Sequence, residues 1–245
     1  MNALRELPPE LVTEAHLMEL ESVGFTLVRD AISPPHLVRL RAAHAAATDQ
    51  MRQCRPEPEW SWESDNTAVV DYFRAYELHP AFEELMDLPT VFPIVDAAVR
   101  QGRGRRGHAL GARLLSGPVT QHLPAGTPTG QSWHRDGDFI RCTYVLNDLG
   151  PGEGGTVFLP GSHHLDTDYG QVLNAHYEHE ASYTAPREGR LSPPYDRSEH
   201  QPHAIPGSWQ LVAPAGSCLI NWTQVWHTRT ANTSNTHRDT GAHAC

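Results

Sequence analysis

What this chain has little of narrows its class first. Among 245 residues there are only 4 cysteines, Cys54, Cys142, Cys218 and Cys245. They form no CxxC pair and no disulfide-like ladder, a usage that suits a reducing cytosol. Positive charge is also scarce, with Lys+Arg 19 against Asp+Glu 29 and a formal net charge of −10. Such a chain lacks the field that neutralises phosphates, so no nucleic acid and no anionic membrane surface is expected as a partner. Its one dense cationic stretch, Arg100 to Arg106, is short and glycine-spaced and reads as a solvated loop. No run approaches the ~18 apolar residues of a membrane span. Met1 to Glu14 carry acids and two prolines where a secretory leader needs a cationic start and an apolar run.

What is present describes a globular protein. Hydrophobic residues make up 39%, and with the 19 glycines the apolar share falls in the globular range, at a length that suits one domain. The first part reads helical. Leu11, Ala15 and Met18 share a face of a helix over Glu10 to Val23 that Gly24 closes, Phe25 to Val28 reads as a strand, and Ser33-Pro34 opens a second helix. On that second helix His44 reads as a face residue rather than a ligand. Arg55 to Asp65 reads as a loop, Asn66 to Leu78 and Pro80 to Leu88 as short helices, and Thr90 to Arg100 as a helix weakened by Pro93. After about Gly111 short apolar runs alternate with turn residues. Ala112–Leu115, Arg141–Leu146, Gly155–Leu159, Trp209–Val212 and Ser217–Trp222 are the expected strands of a β-sandwich or barrel. The expected organisation is a single domain, 1–245, with 1–110 mostly helical support and 111–245 the β core. A polar insertion, 166–206, interrupts that core and reads as a lid or as disordered.

The sharpest chemical feature is His134-Arg-Asp136. In extended chain, residues two apart point to one side, so an imidazole and a carboxylate can reach one metal ion. They supply two ligands of a two-His-one-carboxylate triad, the arrangement that leaves positions open on Fe(II). Among downstream histidines, His227 has the best surroundings, at the end of the apolar run that begins at Ser217. Arg238 follows, a guanidinium of the kind that takes a carboxylate by two parallel hydrogen bonds, as a dicarboxylate cosubstrate requires. A kinase catalytic loop would need Asn where Arg141 stands. The glycines Gly150, Gly152, Gly154 and Gly155 lack the Lys-Ser/Thr of a phosphate loop and read as a turn.

His134-x-Asp136, Leu159-Pro-Gly-Ser-His163, His227 and Arg238, in that order, resemble the phytanoyl-CoA dioxygenase family of Fe(II)/2-oxoglutarate-dependent oxygenases. The likeness runs from about Leu17 to Thr240. It implies a mainly β fold with N-terminal helices: a double-stranded β-helix (jelly-roll, cupin-like) core flanked by α-helices. It also implies Fe(II), 2-oxoglutarate and O2 as cofactors, with His134, Asp136 and His227 as iron ligands and Arg238 on the distal carboxylate of 2-oxoglutarate. Thr240, Thr143 and Gln121 match positions around that cosubstrate. His163 belongs to a structural turn behind the ligands, and Trp133 and Trp226 are packing residues. Related halogenases lack the carboxylate that Asp136 supplies, so its presence implies oxygenation.

The implied activity is a hydroxylase acting on a C–H bond of a small-molecule metabolite, releasing succinate and CO2. The last residues carry no peroxisomal address, so the cytoplasm is the expected compartment. Relatives continue well past the arginine, so the strand that carries Arg238 is expected to be short or frayed, with Arg229 as a fallback anion ligand. The alternatives are a non-catalytic or degenerate metal-binding jelly-roll protein, and a cupin-like metalloenzyme that needs no cosubstrate. Of the 16 histidines, His122, His163, His164, His176, His179, His200, His203, His237 and His243 are expected mostly on the surface.

Overall fold

The computed structural model describes residues 9–54, 70–72, 75–77, 79–102, 111–127, 133–165 and 207–245. The expected loop over Arg55 to Asp65 and the polar insertion 166–206 lie outside them.

Helix α1 (Pro9–Ser22) starts at a proline whose missing N–H is no loss in the first turn. It ends at Gly24, whose φ of 88° is open to glycine and whose N–H reaches Glu19 O. Strand β1 (Phe25–Val28) follows, then α2 (Pro34–Cys54), with two prolines in its first turn. Where a helix was expected over Asn66 to Leu78, the chain forms strand β2 (Val70–Tyr72) and a 3-10 turn at Ala75–Glu77. The backbone partners offered by the sheet edge there outweigh a short helical pattern. Helix α3 (Pro80–Glu83) is capped by His79, whose Nδ1 accepts from Ala81 N. Helix α4 (Phe92–Gln101) is not weakened by Pro93, which sits in its first turn, and Gly102 closes it at φ 64°.

The β core is a jelly roll of antiparallel strands. Strands β3 (Ser116–Leu123), β4 (Ile140–Val145), β7 (Cys218–Trp222) and β9 (Arg238–Ala244) join β1 and β2 in a six-stranded sheet of order β1-β7-β4-β9-β3-β2. A smaller sheet is ordered β6-β5-β8, with β5 (Thr156–Phe158), β6 (Trp209–Gln210) and β8 (His227–Arg229). The N-terminal part therefore supplies both edge strands of the large sheet as well as helices. The strand expected at Ala112–Leu115 begins instead at Ser116.

Two departures matter for the site. The apolar strand does not end at His227: β7 stops at Trp222, the chain turns, and His227 opens β8 in the other sheet. The Thr223 side chain makes this turn, because its hydroxyl reaches Phe139 O at 2.8 Å and also Gly137 O. The strand that carries Arg238 is neither short nor frayed. It runs seven residues and pairs with β3 on one side and β4 on the other.

The helices cover the outer face of the large sheet. Leu17, Leu20, Leu40, Phe82, Leu85 and Ile94 are buried in one cluster with Ile140, Tyr144, Cys218 and Ile220. Each such aliphatic side chain contributes about 1.5–3 kcal/mol on burial. Polar ties fix the registry of the layers. Tyr144 Oη donates to Leu85 O at 2.8 Å, and Arg41 Nε on α2 donates to Leu146 O at 2.7 Å. The opposite face of the large sheet looks toward the small sheet, and the candidate site lies there.

Candidate metal centre

The segment before β4 meets the start of β8 through a reciprocal pair of backbone bonds. His134 N donates to His227 O and His227 N to His134 O, both at 3.0 Å. This bridge sets the two imidazoles side by side, with ring centroids 4.3 Å apart. Two residues on, Asp136 N donates to Thr223 O at 3.0 Å, and Gln224 Nε2 donates to Asp136 O at 3.0 Å. The same turn therefore positions the backbones of all three residues.

The side chains converge accordingly. His134 Nε2 stands 3.8 Å from Asp136 Oδ1, and His227 Nε2 stands 3.6 Å from Asp136 Oδ2. One ligand atom from each of the three lies within 4.8 Å of the others. Three neighbouring ligands of one ion, at bonds of about 2.1 Å, need separations near ~3 Å, so small side-chain rotations suffice. His227 Nδ1 lies 2.8 Å from Val225 O. A carbonyl only accepts, so Nδ1 carries the hydrogen that meets Val225 O, and Nε2 is the ring atom turned toward Asp136.

Electrostatics favour the ionised carboxylate. Burial alone raises the Asp136 carboxyl, but the hydrogen bond with His227 and the charges of Arg141, His227 and His134 outweigh it and hold it well below the usual carboxylate range. Arg141 Nη2 is 2.9 Å from Asp136 Oδ2. Reading the sequence passed over Arg141, although the alternation of β4 would have placed it on the same face as Thr143.

The residues expected around the cosubstrate lie on that face too. Directly paired residues share a face, and Gln121, Thr240 and Val145 stand in one row across β3, β9 and β4. Arg238 and Thr143 are two residues along from Thr240 and Val145. Arg238 is buried, donating from Nη1 to Gly154 O and from Nη2 to Gln121 Oε1. Gly154 must be glycine there: its φ is 75°, and a Cβ would come within 2.5 Å of Leu123. So the glycine-rich turn, read as structural, holds the arginine through its carbonyl. Arg229, the fallback, is buried on β8 opposite Thr156.

The other expectations divide. Trp133 and Trp226 pack with Val157 and Leu159 in a cluster of their own, and Arg135 lies over the Trp226 ring at 5.0 Å. His163 is buried in the turn that follows Leu159. Its Nε2 meets Glu21 O at 3.1 Å, while the neighbouring Ser162 Oγ accepts from Trp226 N at 2.8 Å, so the turn braces the residue before His227. Of the histidines expected on the surface, His164 and His237 are exposed, whereas His163 and His243 are buried. His176 and His179, in the insertion, lie outside the described residues.

No helix among the described residues is long and apolar enough to cross a membrane. No curated protein matches the chain. Solved structures match it along nearly its whole length. The non-heme α-ketoglutarate-dependent epimerase SnoN from nogalamycin biosynthesis is 18% identical with a TM-score of 0.64, covering 96% of this chain and 83% of that one. The α-ketoglutarate-dependent carbocyclase SnoK, from the same biosynthesis, is 15% identical at 0.59, covering 98% and 84%. HygX from Streptomyces hygroscopicus, with nickel and 2-oxoglutarate bound, is 14% identical at 0.60, covering 97% and 86%. At these identities the likeness is one of fold. The phytanoyl-CoA dioxygenase (PhyH) family matches residues 20–240, from within α1 to within β9. The chain therefore belongs to the phytanoyl-CoA dioxygenase family, whose members use Fe(II), 2-oxoglutarate and O2.

Proposed function

We propose that the protein is an Fe(II)- and 2-oxoglutarate-dependent dioxygenase that hydroxylates a C–H bond of a small-molecule metabolite. The observation that carries this reading is the convergence of His134, Asp136 and His227 on the sheet face that also bears the buried Arg238. The donor set fits the metal: two imidazole nitrogens and one ionised oxygen form one face of an octahedron and leave the other open.

In this reading His134 Nε2, Asp136 and His227 Nε2 hold the iron. Arg238 receives the distal carboxylate of 2-oxoglutarate, with Thr240 adding a hydroxyl and Gln121 and Thr143 lining the site. Two guanidinium donors already hold Arg238 to Gly154 and Gln121, so its plane is oriented before the cosubstrate arrives. Iron, when bound, supplies the oxidising chemistry: one atom of O2 enters the substrate C–H bond as hydroxyl, the other enters succinate, and CO2 leaves. The chain's own groups bind and orient. Asp136 contributes a negative charge that offsets the cation, Arg141 keeps that carboxylate turned toward the two imidazoles, and Val225 O fixes the His227 ring.

The family relationship supports the iron and the cosubstrate, and Asp136 supports oxygenation, because a carboxylate occupies the position a halide would need. SnoN and SnoK are described as an epimerase and a carbocyclase on this fold, so the outcome is read from the product. The test is succinate and CO2 release from 2-oxoglutarate by iron-loaded protein, with hydroxylated product identified by mass from a panel of small metabolites. Succinate formation that is lost in Asp136→Ala supports the reading, and equal turnover in that variant overturns it.

A further inference from the structure

The residue after Arg238 faces the other way. Asp239 alternates to the outer side of β9, beneath α2, and histidines from three parts of the chain meet it. His44 Nε2 on α2 lies 3.0 Å from Asp239 Oδ1, and His122 Nδ1 lies 2.7 Å from the same oxygen. His122 is the register partner of Asp239 on β3. His237 Nε2 is 3.2 Å from Oδ2, and Asn147 Nδ2 donates to Oδ2 at 3.1 Å. One atom each of His44, His122 and Asp239 lies within 4.8 Å of the others. The ring centroids of His44 and His122 are 6.2 Å apart and those of His122 and His237 5.1 Å, so the imidazoles surround the carboxylate.

Packing does not call for such a group. Beside His44 the same face of α2 buries Leu40, Ala43 and Ala47, and at its two ends His36, which bonds to Ala81 O, and Thr48. An apolar side chain at position 44 would continue that face without removing an imidazole and a carboxylate from water. To satisfy the carboxylate alone, Asn147 and one histidine are enough. Three imidazoles around one carboxylate, with only the His237 side substantially exposed, are what a cation requires: three neutral nitrogens, one negative oxygen, and a nearly closed shell.

We propose that His44, His122, His237 and Asp239 form a second metal site, for a divalent cation of the zinc class, that clips α2 to β3 and β9 behind the large sheet. The ligand atoms are His44 Nε2, His122 Nδ1, His237 Nε2 and Asp239 Oδ1. Tetrahedral bonds of about 2.0–2.1 Å separate ligand atoms by about 3.3 Å, so the present 2.7 and 3.0 Å contacts open by a few tenths of an ångström. His237 is 54% exposed and has room to swing from Oδ2 to the ion. Asn147 then keeps Oδ2 and orients the carboxylate from outside the coordination shell. The site is independent of the iron reading, since it shares no ligand with it and lies on the opposite face of β9.

The test is metal binding by the chelator-stripped full chain, titrated with Co2+ or Zn2+ and read by equilibrium dialysis with elemental analysis. Wild type is expected to hold two equivalents. His134→Ala with His227→Ala is expected to hold one, with the intense visible bands of four-coordinate Co2+ and a higher thermal midpoint when Zn2+ is added. Adding His237→Ala, at the exposed ligand, is expected to weaken that remaining equivalent at least tenfold while circular dichroism shows a folded chain. His44→Gln and His122→Gln provide the same readout at the buried ligands. A folded His134→Ala, His227→Ala variant that binds no metal overturns the proposal. So does a remaining equivalent whose affinity is unchanged by His237→Ala, His44→Gln and His122→Gln.

Discussion

The two histidine–aspartate clusters on opposite faces of the large sheet use the same side-chain types in opposite ways. Around Asp136 the ligands come from a loop and a strand start, two of the three are partly exposed, and the ligand atoms still stand 3.6 and 3.8 Å apart. Around Asp239 a helix, two strands and the residue just before β9 supply the groups, the contacts close to 2.7 and 3.0 Å, and an asparagine completes the carboxylate. An open arrangement leaves room for cosubstrate and oxygen. A closed one leaves room only for an ion or a proton, and its influence is on stability. The difference teaches that residue type identifies a metal-capable cluster, whereas exposure and the number of side-chain ligands decide what it is for.

That contrast can be broken by substitution. Asp136→Ala has the largest expected effect, reducing succinate formation to background while leaving the unfolding midpoint near wild type. A variant equally impaired in both would show the open cluster to be structural. Arg238→Ala removes a buried, charge-assisted contact, and about 2–3 kcal/mol is expected to raise the KM for 2-oxoglutarate ~30–160-fold. Arg238→Lys should restore little of it, because an ammonium lacks the paired donors. Gly24→Ala acts at a distance. Its φ of 88° and a Cβ that would come 2.3 Å from Val225 and 2.6 Å from His163 predict a loss of about 3 kcal/mol in denaturant unfolding. Weaker metal retention should accompany it, since Val225 O orients His227.

Asp239→Asn sharpens the comparison from the other side. In metal-free protein it should cost about 2 kcal/mol of stability through the loss of charged hydrogen bonds, with kcat for succinate formation within about threefold of wild type. The smallest effect concerns His16, buried against Thr26 Oγ1 at 2.6 Å. Burial lowers its pKa from 6.5, outweighing the attraction of Glu19. With the folded value below the unfolded one, its contribution is full above pH 6.5 and is lost as pH falls through 6.5 toward the folded value. The wild-type thermal midpoint should therefore drop between pH 7 and 5.5 by more than that of His16→Gln, a difference that calorimetry can read.

Much of the site could be read without coordinates because it depends on short-range spacing. His134-x-Asp136 is a local pattern, and Thr240 and Arg238 share a face by simple alternation. Strand β1 was legible at Phe25–Val28 for the same reason. What could not be read depends on partners far along the chain. The turn that separates β7 from His227 is set by Thr223 meeting Gly137 and Phe139, more than eighty residues earlier. β2 forms where a helix was expected because β3 offers it a free edge. The doubt over the Arg238 strand came from counting residues after the arginine, which says nothing about whether both flanking strands are present to hold it.

The sequence by itself determined the chemical kinds: an acidic globular chain, a His-x-Asp pair, a later histidine and an arginine in an order that resembles one oxygenase family. Those are properties of residue type and order, and they survive any packing. Only the tertiary structure decided the neighbours. It joined His134 to His227 through a backbone bridge, set Arg141 against Asp136, placed Arg238 against Gly154, and gathered His44, His122 and His237 around Asp239. The reason is physical: a side chain's type is local, but its distance to another is set by sheet pairing between segments that may be a hundred residues apart.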